Sequence, residues 1–147
     1  LNKHKDRLPE ELKESTIFLT LARILFAKKE FDKSLYALGK VRYINYFYYI
    51  NSKLLLCKLY YELNYLKEIS TIIESMKQFQ KRNENIPNAM NKALNNFITY
   101  LKKLVRMKMN PGERLDHNEI LNSTFTAEKE WLAEKVREIL HTLSKAG

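Results

Sequence analysis

At 147 residues with 45% apolar side chains, the chain has the usual length of one domain and enough apolar material for a core of ordinary burial. Three Gly and three Pro are too few for the many tight turns of a sandwich or barrel, which leaves an all-α fold as the expectation. The net charge of +9 is concentrated in residues 66–110, where nine Lys and Arg face three acids; it suits nucleic acid, anionic lipid or an acidic protein, and it is also the composition an AT-rich coding sequence writes on any protein.

The chain opens at Leu1 with no charged-then-apolar leader, and a piece excised from a longer, cytoplasmic protein is expected. Residues 1–7 are expected to be disordered or contributed by a neighbouring repeat, with the first helix starting at Pro9, where proline fits the first turn and Glu10 and Glu11 favour the positive end of the helix dipole. Phe18, Leu21, Ala22 and Leu25 then recur at helical spacing. The longest apolar run, 16–27, is too short to span a bilayer and contains Arg23, so no membrane insertion is expected.

After a break at Lys28 to Glu30, Leu35, Leu38, Val41 and Arg42 continue as a second helix. Residues 43–61, "YINYFYYINSKLLLCKLYY", hold seven aromatics, and from Phe47 the helix is apolar nearly all round, as expected of an element buried on most sides. Tyr43, Tyr46, Tyr48 and Tyr49 sit at its start, some expected between helices and some exposed; a base-stacking platform needs basic neighbours on the same face, and no charge lies between Tyr43 and Ser52. Ile69, Ile72, Ile73, Met76 and Phe79 then form the cleanest amphipathic stripe.

A polar loop over 80–85 leads through Asn85-Ile86-Pro87 into a helix faced by Met90, Leu94, Phe97, Leu101 and Leu104, which Asn110-Pro111-Gly112 stops. A short helix is expected around 117–121, and Thr126 is the expected cap of a last helix carrying Trp131, Leu132, Val136, Ile139, Leu140 and Leu143.

Chemistry-bearing patterns are sparse. His4, His117 and His141 have no metal-ligand spacing, the glycines are isolated, and Cys57 lies on an apolar helix, where a small buried hydrophobe is expected rather than a nucleophile. One cysteine excludes an intrachain disulfide. No enzyme activity and no cofactor or metal are expected.

An internal repeat supplies the architecture. "LARILFAKKEFDKSLYALGKV" (21–41) aligns without a gap over "LCKLYYELNYLKEISTIIESM" (56–76), so that Leu21 meets Leu56, Leu25 meets Tyr60, Phe31 meets Leu66, Leu38 meets Ile73 and Val41 meets Met76. The spacing resembles the tetratricopeptide repeat, "FAKKEFDKSL" most of all, although Ala22 and Ser34 become Cys57 and Ile69 in the second copy and no proline closes either one. The resemblance covers residues 16–80. It implies antiparallel helix pairs stacked as a right-handed superhelix over a single 1–147 domain: repeat 1 over 12–45, repeat 2 over 46–82, a third-unit helix over 86–110, then an irregular segment and a C-terminal capping helix over 113–147.

It further implies a protein-interaction or scaffold module. The inward positions are Thr16, Leu19, Arg23, Phe26 and Ala27 in one copy and Asn51, Leu54, Lys58, Tyr61 and Glu62 in the other. The expected partner-binding groove has an apolar floor of Leu19, Phe26, Leu54 and Tyr61 with Arg23 and Lys58 as cations, which suits an acidic, partly hydrophobic peptide; the other reading of the two cations is pairing with Glu62 or other nearby acids. The alternative is a nucleic-acid-associated regulator using the basic stretch from Lys67 to Lys108.

Overall fold

The structure, a computed structural model, describes residues 2–110, 112 and 114–146. The described residues form α-helices and no strand: α1 Asn2–Ala27, α2 Phe31–Leu38, α3 Tyr46–Glu62, α4 Leu66–Arg82, α5 Asn88–Met109, α6 His117–Asn122 and α7 Lys129–Ala146. They group into two compact units, Leu1–Asn83 and Glu84–Gly147, where the sequence reading runs one domain through the whole chain. Leu1 and Pro111, which that reading assigns to a disordered start and a helix stop, lie outside the described residues.

In the first unit α1 packs against α2 and α3, and α3 against α4. The α1–α2 connection ends in Lys29 with φ 63°, and the α3–α4 connection in Asn64 with φ 65°, 35 residues further on. The backbone bonds match as well. Lys29 N donates to Phe26 O at 2.9 Å and Glu30 N to Leu25 O at 2.9 Å; Asn64 N donates to Tyr61 O at 3.1 Å and Tyr65 N to Tyr60 O at 2.7 Å. Both helices therefore end in a left-handed residue that satisfies two otherwise orphaned carbonyls. Asparagine tolerates that conformation and lysine accepts it at a cost.

Where α1 and α2 meet, buried Ser34 donates its hydroxyl to the Ala22 carbonyl at 2.7 Å, which small side chains on both helices permit. The core here gathers Leu19, Ala22, Ala37, Leu38, Val41, Tyr48, Leu55 and Leu59. On α4, Ile69, Ile72, Ile73 and Met76 are buried as the amphipathic stripe predicts, while Phe79, its last member, is half-buried.

Three local expectations are corrected. Pro9 lies inside α1 rather than at its start, and the backbone of Asn2–Arg7 is helical; the proline ring already holds a helical φ, so the helix continues through it with one backbone bond fewer. The second helix stops at Leu38, because Gly39 caps it, and Val41 and Arg42 belong to an irregular link instead. That link is tied to α1 by buried Ser15, whose hydroxyl accepts from Arg42 N at 3.0 Å, and it ends at Asn45, whose side chain caps α3 by accepting from Phe47 N and Tyr48 N.

The third correction is in the second unit. Thr126 does not cap the last helix, which begins at Lys129; its hydroxyl pairs with that of Ser123 at 2.8 Å. Phe125 and Glu128 both have positive φ, and Asn96 of α5 donates to the carbonyls of Thr124 and Phe125 at 3.4 and 3.2 Å, so the approach to α7 is anchored on α5. Along α5, Leu94, Phe97, Ile98, Leu101, Leu104 and Met107 are buried. Helix α7 packs on α5 and α6, burying Trp131, Leu132, Ala133 and Val136.

Candidate functional site

The six residues expected to form the groove all lie on α1 and α3, the two helices that meet along one seam of the first unit. Leu19, Leu54 and Tyr61 are buried, so they are not a floor open to a partner. Tyrosine and leucine rank among the residues whose burial supplies most of a core's stability.

Arg23, Phe26 and Lys58 remain at the surface or half-buried. The Arg23 guanidinium donates to Asn51 Oδ1 at 2.8 Å, and the Asn51 amide in turn donates to the Phe47 carbonyl at 2.8 Å, fixing its orientation. Lys58 Nζ stands 4.8 Å from the centre of the Phe26 ring, within range of a cation–π interaction. A turn and more away, the Thr16 hydroxyl pairs with Tyr48 OH at 2.7 Å. The seam is thus fastened by polar contacts, and two cations, 35 residues apart in sequence, are held on it by an amide and a ring.

The aromatic stretch divides as expected: Tyr48 is buried, Tyr46 and Tyr49 are half-buried, Tyr43 and Phe47 are exposed. Its arrangement with α4 is not visible in the sequence. Tyr49 stacks on Phe79 with ring centres 3.8 Å apart and planes 14° from parallel, while Tyr43 meets Tyr49 edge-on at 5.2 Å. Lys53 Nζ lies 5.5 Å from the Tyr43 ring and 5.4 Å from the Tyr49 ring. Beside them runs a groove of about 660 Å³ lined by Tyr49, Ser70, Thr71, Glu74, Gln78 and Arg82 among others. Burial and then the neighbouring Tyr43 push the Tyr49 phenol above its ordinary pKa of 10.0, with Arg82 pulling the other way. The basic neighbour absent between Tyr43 and Ser52 comes from Lys53, one position past that window, and from the next helix. The signal was the spacing 49 to 53, one helical turn, which puts the lysine over the ring.

Cys57 is fully buried, and burial pushes its thiol up to about 12, so it is protonated and inert at neutral pH. Among the described residues no group of three or more His, Cys, Asp or Glu could hold a metal ion, and no helix is long and apolar enough to cross a membrane. The chain matches no protein-family model, no curated protein and no solved structure.

Proposed function

We propose that the chain is a non-catalytic interaction module of the tetratricopeptide-like kind, its helix pairs stacked as a right-handed superhelix, which binds an acidic peptide or another stretch of polypeptide along the α1–α3 seam. The observation that carries this reading is the pair Arg23 and Lys58. Both stand at the same place in the repeat, and the contacts to Asn51 and Phe26 hold them in position on the seam. A peptide carboxylate can bind beside the Arg23 guanidinium, which the Asn51 amide orients so that part of its ordering cost is already met in the free protein. The congruent turns at Lys29 and Asn64 and the matching order of packing support the repeat itself. The reading also suits a reducing, cytoplasmic setting, in which a buried single cysteine needs no partner.

A screen of immobilised peptides against the wild type and a folded Arg23→Glu, Lys58→Glu double mutant tests it. Acidic peptides with apolar anchors are expected among the wild-type binders and lost in the mutant. Binders indifferent to the charge reversal rule out the seam.

A second reading, nucleic-acid association, is favoured by the Tyr43, Tyr49 and Lys53 cluster, which combines ring faces with a cation as single-strand sites do. Its test is titration with a single-stranded oligonucleotide over a range of salt. Tight binding with a steep salt slope, weakened by Tyr43→Ala or Lys53→Ala, supports it; binding that is absent or salt-insensitive removes it.

A further inference from the structure

The first helix pair carries an apolar face on the side away from α3. Ile17, Leu21 and Ile24 are 54%, 41% and 47% exposed, and their spacing puts them in one stripe along α1. Half-buried Phe18 and Leu25 flank the stripe, and Tyr36 of α2, 70% exposed, stands across from it. Between the two helices lies a mainly apolar hollow of about 370 Å³, lined by Phe18, Leu21, Leu25, Tyr36 and Ala37 with the charged Asp32, Lys33 and Lys40 beside them; Lys40 Nζ is 5.3 Å from the Phe18 ring and 4.6 Å from the Tyr36 ring. Scattered exposed apolar residues need no explanation, but a contiguous stripe beside a hollow marks an interaction surface.

The molecule itself shows what covers such a face. Moving 35 residues along the chain takes Ile17, Thr20, Leu21 and Ile24 of α1 to Ser52, Leu55, Leu56 and Leu59 of α3. Ser52, Leu55 and Leu59 are 1%, 2% and 0% exposed. Leu55 and Leu59 belong to the core cluster with Leu19, Ala22, Ala37, Leu38 and Val41, and Leu56 packs against it. The α3 face is therefore covered by the α1–α2 hairpin, whose covering side presents branched and small apolar side chains. The same face on α1 is open. Because the turns at Lys29 and Asn64 are congruent, the two pairs offer their faces at the same orientation to their own second helix.

We infer that the outer face of α1 and α2, centred on Ile17, Leu21 and Ile24, is a docking surface for a partner helical hairpin that presents small and branched apolar residues, seated as α1–α2 is seated on α3. The inference rests on the helical-repeat part of the proposed function and is independent of the peptide seam. Covering this face removes apolar surface from water on both partners, and the α3 interface continues in the same direction through the pair.

The probe is the one hairpin known to fit the corresponding face: residues 11–45 joined directly ahead of residue 11, so that the added Asn45 stands where the repeat places it. Joining it in cis supplies the effective concentration. Leu21→Cys in the original copy reports access to the face, since buried Cys57 does not react. The thiol at position 21 is expected to react quickly in the chain as it stands and at least about tenfold more slowly in the extended one, where reaction requires opening of the new interface. Ile17→Lys with Ile24→Lys should leave the unextended chain folded, both positions being exposed, and restore fast labelling in the extended chain. Equal labelling in both chains overturns the inference, as does an added hairpin that stays unfolded by circular dichroism while the remainder melts unchanged. Protection that appears in the unextended chain as its concentration rises identifies a second copy as the occupant, which also overturns it. Charge reversal at Arg23 and Lys58 should not alter the protection, so loss of the seam and loss of this face are separable.

Discussion

Replacing Ile73 by Ala separates a buried face of the first unit from an open one when it is set beside Ile24→Ala. Both changes remove the same atoms from a helix, but Ile73 is 4% exposed and Ile24 is 47% exposed. At about 0.8 kcal/mol per buried carbon, stripping Ile73 to alanine forfeits roughly 2.4 kcal/mol of transfer free energy. The cavity left behind raises this into the range of about 2 to 5 kcal/mol seen for such changes. Alanine's better helix propensity returns about 0.4 kcal/mol, leaving an expected loss of about 3 kcal/mol. For Ile24 only about half of the transfer term applies and little cavity forms, so after the same propensity gain the cost is about 1 kcal/mol or less. Urea unfolding followed by far-ultraviolet circular dichroism checks this, with the midpoint falling and the slope unchanged for Ile73→Ala. Trp131, the single tryptophan, lies in the second unit, so circular dichroism rather than its fluorescence is the probe of Ile73. Equal costs for the two substitutions refute the assignment of faces on α4 and α1.

Buried Ser52 has a hydroxyl with no hydrogen-bond partner among the described residues, so Ser52→Ala should leave stability unchanged or raise it by up to about 1 kcal/mol; a clear loss by thermal melting indicates a partner for that hydroxyl. The raised pKa of Cys57 means that the folded chain holds its proton where the unfolded thiol, near 9.0, gives it up. The stability due to that buried neutral thiol is fully present below pH 9.0 and is lost progressively toward about 12; Cys57→Ala should flatten this alkaline fall in melting temperature, and thiol reagents at pH 8 should label the wild type only when it unfolds. Deleting residues 126–147 exposes the faces of α5 and α6 that α7 covers and should leave an insoluble chain or a molten second unit by proton NMR; a soluble chain of equal stability contradicts the capping role of α7.

What the residues determine alone is mostly local. The helices and their apolar stripes follow from 3.6-residue periodicity, the start of α5 from Asn85-Ile86-Pro87, and the buried state of Ile69, Ile72, Ile73 and Met76 from one clean pattern on α4. The end of α2 and the cap at Asn45 were also written there, in Gly39 and in the asparagine before an aromatic helix, but the apolar spacing of Leu38 and Val41 masked them. Periodicity counts apolar positions and cannot tell a helix face from an irregular link that buries one valine. Tertiary packing decided the rest. Leu19, Leu54 and Tyr61 share the helical positions expected of a groove, yet tertiary packing buries them, while Ile17, Leu21 and Ile24, equally apolar, remain in water. Phe79 becomes a neighbour of Tyr49 only because α4 folds back through the turn at Asn64. A side chain's hydrophobicity sets how much it gains from burial; which element arrives to bury it depends on contacts between residues far apart in the chain, and these no local pattern contains.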